Sequence, residues 1–211
     1  MDNRHQNYET LNIRQEVSET DSFTPTRYEQ FFRCLPAKTV SVLDIGCNTG
    51  RGGKRLKELN PAFEIIGLDC VSERLNSLPE CYSRRLYGLS TDIPLEDQSV
   101  DAITAGEFLE HLYPADVDKT LCEFQRVLKT GGRLLMTTPN PYYLKNRLLG
   151  LSVYGTSHLT QHFPEILRIR LQMHGFSKVR IYGSGRVSRF LGRHFPFLSV
   201  YGSYLIKADK Y

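Results

Sequence analysis

The chain has 211 residues, 40% of them hydrophobic and 24% charged, the proportions of a soluble globular domain with enough chain for one buried core. A net charge of +4 is too slight to point to nucleic acid, no apolar run reaches bilayer length, and five cysteines without a C-x-x-C pair argue against a zinc site or a disulfide framework. The polar start Met1-Asp2-Asn3-Arg4-His5-Gln6 lacks an apolar signal core, so the expected compartment is the cytoplasm, with thiols reduced.

Residues 1–38 precede the first strand pattern and are expected to form an N-terminal helical cap on a domain spanning 39–211. Residues 1–20 are expected to be an exposed, partly disordered end. Tyr28, Phe31, Phe32 and Leu35 are spaced for one apolar face and predict a helix over 26–35, ended by Pro36. Strand and helix patterns then alternate: strand 40–45, helix 51–59, strand 63–68, helix 72–78, strand 84–89, strand 100–105, helix 115–128, strand 132–138. Such alternation implies a parallel sheet with helices on both faces. Residues 139–162, with Pro139, Pro141, Gly150 and Gly155, break the pattern and read as an inserted loop. A helix over 164–174 stops at Gly175, and strands over 178–182 and 201–207 close the chain.

The most informative stretch is Val40-Ser41-Val42-Leu43-Asp44-Ile45-Gly46-Cys47-Asn48-Thr49-Gly50. A buried strand runs into a glycine turn and then a helix, the device by which open α/β sheets bring backbone N–H groups to a nucleotide-like ligand. The turn lacks the G-x-x-x-x-G-K-[ST] spacing of a phosphate loop and departs from G-x-G-x-x-G. Asp69 ends the second strand roughly 20 residues on, where a carboxylate meets ribose hydroxyls in dinucleotide folds.

The D-x-G-C-x-x-G pattern of Asp44, Gly46, Cys47 and Gly50 resembles the first motif of the class I S-adenosylmethionine-dependent methyltransferases. Three further stretches resemble that family's later motifs, in order and at matching spacing. They are Ile93 to Asp101, Ala102 to Leu112, and Leu128 to Asn140. Where the family usually has glycine this chain has Asn48, the non-glycine residue that best tolerates positive φ. The resemblance implies a Rossmann-like, seven-stranded, mostly parallel sheet with an antiparallel edge strand and helices on both faces. It also implies S-adenosyl-L-methionine as cofactor and S-adenosyl-L-homocysteine as product. Asp44, Gly46, Cys47, Asn48, Gly50, Asp69 and Cys70 then form the cofactor cradle. The family's adenine-contacting acid falls near Leu89, which is not an acid, so Asp92 or the backbone of Ile93 stands in as the adenine candidate, and Gly106 allows close approach of the methionine moiety.

Methyl transfer from a sulfonium asks the protein to bind, orient and exclude water, and to take a proton when the acceptor is a hydroxyl. Glu107-x-x-Glu110-His111 is the sharpest group for that task; if it opens a helix, its spacing puts the three side chains on one face. Three readings stay open. With His158 or His162 the group binds a divalent ion, as in the ubiquinone-pathway O-methyltransferases and small-RNA 3′-end methyltransferases that the motif resembles. Alternatively His111 lines the acceptor pocket as a base, or the acids simply favour a helix N-terminus. Glu107, Glu110 and His111 are the catalytic candidates, and no metal is assigned.

Asn140, Tyr142, Tyr143, Tyr154, His158 and His162 of the loop are candidates to line an acceptor site. Thr137-Thr138-Pro139-Asn140 resembles the strand ending of quinone-pathway and cell-surface-glycan methyltransferases. Arg186, Arg189 and Arg193, interleaved with Phe190, Phe195 and Phe197, suit either an anionic or lipid-linked acceptor or a mixed helix with solvated arginines. The expected reaction is O-methylation of a small-molecule, glycan or lipid-linked acceptor. N-, C- or RNA methylation and a non-catalytic interaction module are the alternatives. The expected partner is the small-molecule acceptor, without a strong nucleic-acid signal or a transmembrane segment.

Overall fold

The computed structural model describes residues 3–13, 20–155 and 157–211. The chain opens with α1 (Asn3–Ile13) and α2 (Phe23–Phe32), then runs β1 (Ser41–Ile45), α3 (Arg51–Leu59), β2 (Glu64–Asp69), α4 (Ser72–Asn76) and β3 (Tyr82–Tyr87). β4 (Val100–Gly106), α5 (Pro114–Val127), β5 (Leu128–Pro139), α6 (Leu144–Leu148) and α7 (Pro164–Met173) follow, then β6 (Phe176–Ser184), α8 (Ser188–Leu191) and β7 (Ser203–Lys210). Among the described residues seven strands form one sheet in the order β3-β2-β1-β4-β5-β7-β6. β1 to β5 pair in parallel, and β7 runs antiparallel between β5 and the edge strand β6.

Strand residues alternate between the two faces, and each face has its own core. Leu43, Ile45, Ile66, Leu68, Ile103 and Leu134 pack with Val117, Leu121 and Phe124 of α5 and Leu167 and Leu171 of α7. Val42, Ile65, Ala102, Leu135 and Leu205 pack on the other side with Phe31 of α2, Leu56 of α3 and Leu75 of α4. The strand order reverses direction of growth between β1 and β4, so a crevice opens beyond their carboxyl ends. No helix among the described residues is long and apolar enough to cross a membrane.

The leading segment differs from its sequence-based expectation. Residues 3–13 form α1 because Tyr8 is buried, donating its hydroxyl to Asp116 at 2.9 Å and accepting the Tyr113 N–H at 2.9 Å. Residues 1, 2 and 14–19 of the expected exposed end lie outside the described residues. α2 starts at Phe23 rather than at residue 26 because the Asp21 carboxylate accepts the N–H groups of Phe23 and Thr24 at 2.7 and 2.9 Å. The inserted loop carries the short α6 and returns to the turn after β4 at Leu159 and Thr160, whose N–H groups bond the Glu110 carbonyl at 2.7 and 3.1 Å.

Candidate functional site

The turn after β1 is left-handed at three positions: Gly46 at φ 61°, Asn48 at φ 51° and Gly50 at φ 79°. Space as well as φ demands glycine at two of them. A Cβ at Gly46 would stand 2.8 Å from Phe108 Cδ2, and one at Gly50 would stand 2.5 Å from Pro79 Cδ. Asn48 donates its N–H to Asp69 Oδ2 at 2.9 Å, while Asp69 Oδ1 accepts the Val71 N–H at 3.0 Å. Both oxygens are thereby oriented, with lone pairs left over for a ligand. Burial raises the Asp69 carboxyl above its ordinary range, against the lowering effect of those N–H groups and of Arg74.

Beneath the turn lies Asp44, fully buried on β1. Burial pushes its carboxyl up to about 6, opposed by hydrogen bonds from the hydroxyls of Tyr28 at 2.5 Å, Tyr82 at 2.6 Å and Thr104 at 3.0 Å. Asp44 therefore ties α2, β3 and β4 to the base of the turn and does not line the crevice.

The crevice is a cavity of about 320 Å³. Of the expected cradle, Gly46, Cys47, Asn48, Asp69, Cys70 and Gly106 line it; Asp44 and Gly50 do not. Neither do Asp92 and Ile93: Asp92 is exposed, and Ile93 is buried with its N–H given to Glu123 at 2.8 Å. Leu89, Ser90 and Thr91 stand in their place, brought there by the turn directly after β3. The roof comes from the leading helices through Tyr8, Asn12, Arg27 and Tyr28, with Arg74 beside Asp69. Tyr28 falls in the helix predicted over 26–35, whereas Tyr8 and Asn12 fall in the expected disordered end; Arg27 and Arg74 carry no motif.

Two features fit this cavity to a polar nucleoside ligand with a charged amino-acid tail. The Asn48 Oδ1 acceptor is buried without a hydrogen-bond partner among the described residues. Gly106 has no side chain where a Cβ would come within 2.8 Å of Arg27 Cδ, so the Arg27 side chain packs directly on its backbone.

Glu107, Glu110 and His111 do not open an α-helix. Glu107 takes a left-handed φ of 52°, and a 3₁₀ turn over Leu109–His111 follows, so the three side chains do not share one helical face. A non-glycine residue held there costs about 1–3 kcal/mol, and Glu107 is fixed by its N–H bonding both the carbonyl and the hydroxyl of Thr137. Its carboxylate faces Arg27 Nη2 at 3.7 Å and accepts from Ser203 Oγ at 3.4 Å. Glu107 and His111 line the cavity, whereas Glu110 turns into the core, accepting from Thr138 Oγ1 at 3.1 Å. Burial, reinforced by the neighbouring Glu107, pushes the Glu110 carboxyl well above the usual range.

His111 Nδ1 bonds the Ser157 carbonyl at 2.9 Å, and burial followed by the proximity of His158 lowers its pKa below the ordinary value. His158 Nδ1 bonds the Val153 carbonyl at 2.7 Å, and the two rings meet edge to face at 5.0 Å. One ligand atom from each of Glu110, His111 and His158 lies within 4.8 Å of the others. Sequence reasoning weighed this combination but assigned no metal; the fold is what brings the loop histidine onto the 3₁₀ turn.

The other loop candidates separate. Tyr143 lines a second cavity of about 500 Å³ that shares Asp21, Arg27 and Glu107 with the first. Asn140 is buried, its side-chain amide donating to the carbonyls of Leu198 and Tyr201 at 2.8 and 2.9 Å. His162 is buried against Thr160, Tyr142 donates to Glu165, and Tyr154 is exposed. None of these three lines either cavity.

A family model described as a methyltransferase domain matches residues 43–136. The chain is 36% identical over 115 residues to malonyl-[acyl-carrier protein] O-methyltransferase 1 of Coxiella burnetii, covering 54% of this chain and 38% of the relative. It is 34% identical over 109 residues to a fatty-acid O-methyltransferase of Mycolicibacterium smegmatis, covering 48% of this chain and 38% of that one. The chain thus spans about two fifths of the length of the curated relatives it matches. A solved SAM-dependent methyltransferase from Archaeoglobus fulgidus superposes with a TM-score of 0.69 at 21% identity, over 88% of this chain and 92% of its own.

Proposed function

The chain belongs to the class I S-adenosylmethionine-dependent methyltransferases, and from that membership we propose that it transfers a methyl group to an oxygen of a small-molecule, glycan or lipid-linked acceptor. One observation carries the reading. The left-handed turn at Gly46 and Asn48, the carboxylate of Asp69 and the bare backbone of Gly106 line a single cavity at the carboxyl ends of β1, β2 and β4.

S-adenosylmethionine, when bound, supplies an electrophilic methyl on a sulfonium. Asp69 would hold the ribose hydroxyls, because its two oxygens are already oriented by backbone N–H groups. Ser90 and Thr91 stand where an adenine is expected, in place of Asp92. Arg27 is the cation beside Gly106 and suits a carboxylate tail. Tyr8, Tyr28 and the rest of α1 and α2 exclude water from above. Glu107 is the favoured proton acceptor, since it alone of the three catalytic candidates lines both cavities. The names of the malonyl-[acyl-carrier protein] and fatty-acid O-methyltransferases support oxygen as the acceptor atom.

Calorimetric titration with S-adenosylhomocysteine, with NAD and ATP as controls, tests this reading. Saturable binding of S-adenosylhomocysteine alone is expected. Preferential binding of NAD or ATP, or no binding at all, would refute it.

A second reading rests on the convergence of Glu110, His111 and His158. Two imidazole nitrogens and a carboxylate suit a borderline divalent ion such as zinc. An ion held there would act beside Glu107 as a Lewis acid on the acceptor oxygen. Dialysis against a chelator followed by metal analysis and zinc titration decides it. Stoichiometric zinc lost on replacing His158 with alanine favours the ion, and wild-type protein free of metal that takes up none removes it.

A further inference from the structure

The second cavity has no assigned occupant. It lies across the shared wall of Arg27 and Glu107 from the first, and is lined by Tyr143 of the inserted loop, Phe23 of α2, Arg186 just before α8 and Arg189 within it. Methyl transfer is an in-line displacement between reactants about 3–3.5 Å apart, so an acceptor must reach the same wall from the opposite side. Resting on the methyltransferase reading above, we propose that this cavity is the acceptor site and that it takes an acceptor carrying an oxyanion, a carboxylate or a phosphate, held by Arg186.

The charge balance of the lining supports an anion. Asp21 is neutralised by Arg51 at 2.5 Å, and Glu107 faces Arg27 at 3.7 Å. Arg189 gives its guanidinium to the Ser22 carbonyl and the Thr26 hydroxyl, and pairs with no carboxylate among the described residues. Arg186 is the surplus cation with a fixed position. Its guanidinium stacks 4.7 Å over the Phe23 ring, and among the described residues it has neither a hydrogen bond nor an ion pair. The ring contact leaves the guanidinium N–H groups without a partner among the described residues, and such a group recognises a carboxylate or phosphate. Glu107 repels an anion from the reacting end. The oxyanion therefore sits at the Arg186 end, and the atom to be methylated at the Glu107 end.

The test is calorimetry on the full chain with three probes: 4-hydroxybenzoate, 4-hydroxyphenyl phosphate and the neutral methyl 4-hydroxybenzoate. Each is titrated with and without S-adenosylhomocysteine. At least one oxyanion probe should bind about tenfold or more tightly than the neutral ester, the scale of one charge-assisted hydrogen bond. Arg186→Gln should abolish that preference, and Arg168→Gln, which removes the same charge from α7, should keep it. S-adenosylhomocysteine binding should be equal in both variants. The tighter oxyanion probe identifies the group as carboxylate or phosphate. Equal affinity for the neutral ester, a preference that survives Arg186→Gln, or no saturable binding of either oxyanion overturns the proposal. Failure of S-adenosylhomocysteine to bind would instead strike the methyltransferase reading, since the oxyanion comparison is also made without it.

Discussion

Asp69 Oδ2 accepts the backbone N–H of Asn48 at 2.9 Å, so the acid that ends β2 also holds the left-handed turn that follows β1. One side chain thus does two jobs, shaping the turn and presenting oxygens to the cavity. Asp69→Ala should weaken S-adenosylhomocysteine binding by about 1.5–3 kcal/mol, as for hydrogen bonds to a charged group. Asp69→Asn should lose less, because its amide oxygen can still accept one of the two N–H groups. Calorimetry on both variants checks this, and an alanine variant that binds as tightly as wild type would remove Asp69 from the cradle.

The same turn predicts an unusual order of tolerance at position 48. Asn48→Gly should change stability little, because glycine adopts φ 51° freely. Asn48→Val should cost about 1–2 kcal/mol, since a branched Cβ is poorly accommodated there. Thermal unfolding of the pair measures the difference. Equal stability of the two would mean that the turn is not held left-handed.

Gly52 makes a sharper packing test. A Cβ there would lie 2.1 Å from Tyr28 Cζ, and Tyr28 is itself pinned by its hydroxyl to Asp44. Gly52→Ala should destabilise the protein by about 1–3 kcal/mol, despite the better helix propensity of alanine. Denaturant unfolding with an unchanged midpoint would show that α2 does not pack on α3 as described.

Asp44 fixes the sign of one pH dependence. Its folded-state value of about 6 lies above the ordinary 3.8, so the folded protein holds this proton more tightly than the unfolded chain. The resulting stabilisation is full below about pH 4 and is lost as pH rises through 6, on the order of 3 kcal/mol in all. Asp44→Asn should therefore flatten the fall in unfolding free energy between pH 4.5 and 7.5 relative to wild type. An identical slope in the two proteins contradicts the assignment.

Glu107→Gln should leave S-adenosylhomocysteine binding intact and lower turnover of a hydroxyl acceptor by about 10²–10⁴-fold, the usual contribution of a general base. Unchanged turnover in single-turnover kinetics would exclude Glu107 from that role.

Much of the scaffold was legible because its signals are local. The largely apolar runs at Val42 to Ile45, Ile65 to Leu68 and Leu134 to Met136 mark buried parallel strands whatever their neighbours. Gly46, Asn48 and Asp69 were legible because backbone conformation and spacing limit the choice of residue.

What escaped the sequence depends on contacts between distant segments. Asp44 reads as a cradle acid until its three hydroxyl partners, from α2, β3 and β4, are seen. Asp92 reads as an adenine contact because it is the nearest acid to the expected position, yet the turn after β3 presents Ser90 and Thr91 instead. The spacing of Glu107, Glu110 and His111 implied one helical face. The left-handed φ at Glu107, held by Thr137 on a neighbouring strand, sends Glu107 to the cavities and Glu110 to the core. Arg27 and Arg186 have no motif, and only the packing of α2 and α8 around the second cavity gives them meaning.

The central claim is that the cavity at the ends of β1, β2 and β4 is the cofactor site, and a crystal structure with S-adenosylhomocysteine bound tests it most directly. The account predicts ribose hydroxyls within hydrogen-bond distance of Asp69, the base beside Ser90 and Thr91, and the sulfur facing Glu107 across the wall to the second cavity. S-adenosylhomocysteine found elsewhere, or bound there without contact to Asp69, would contradict it.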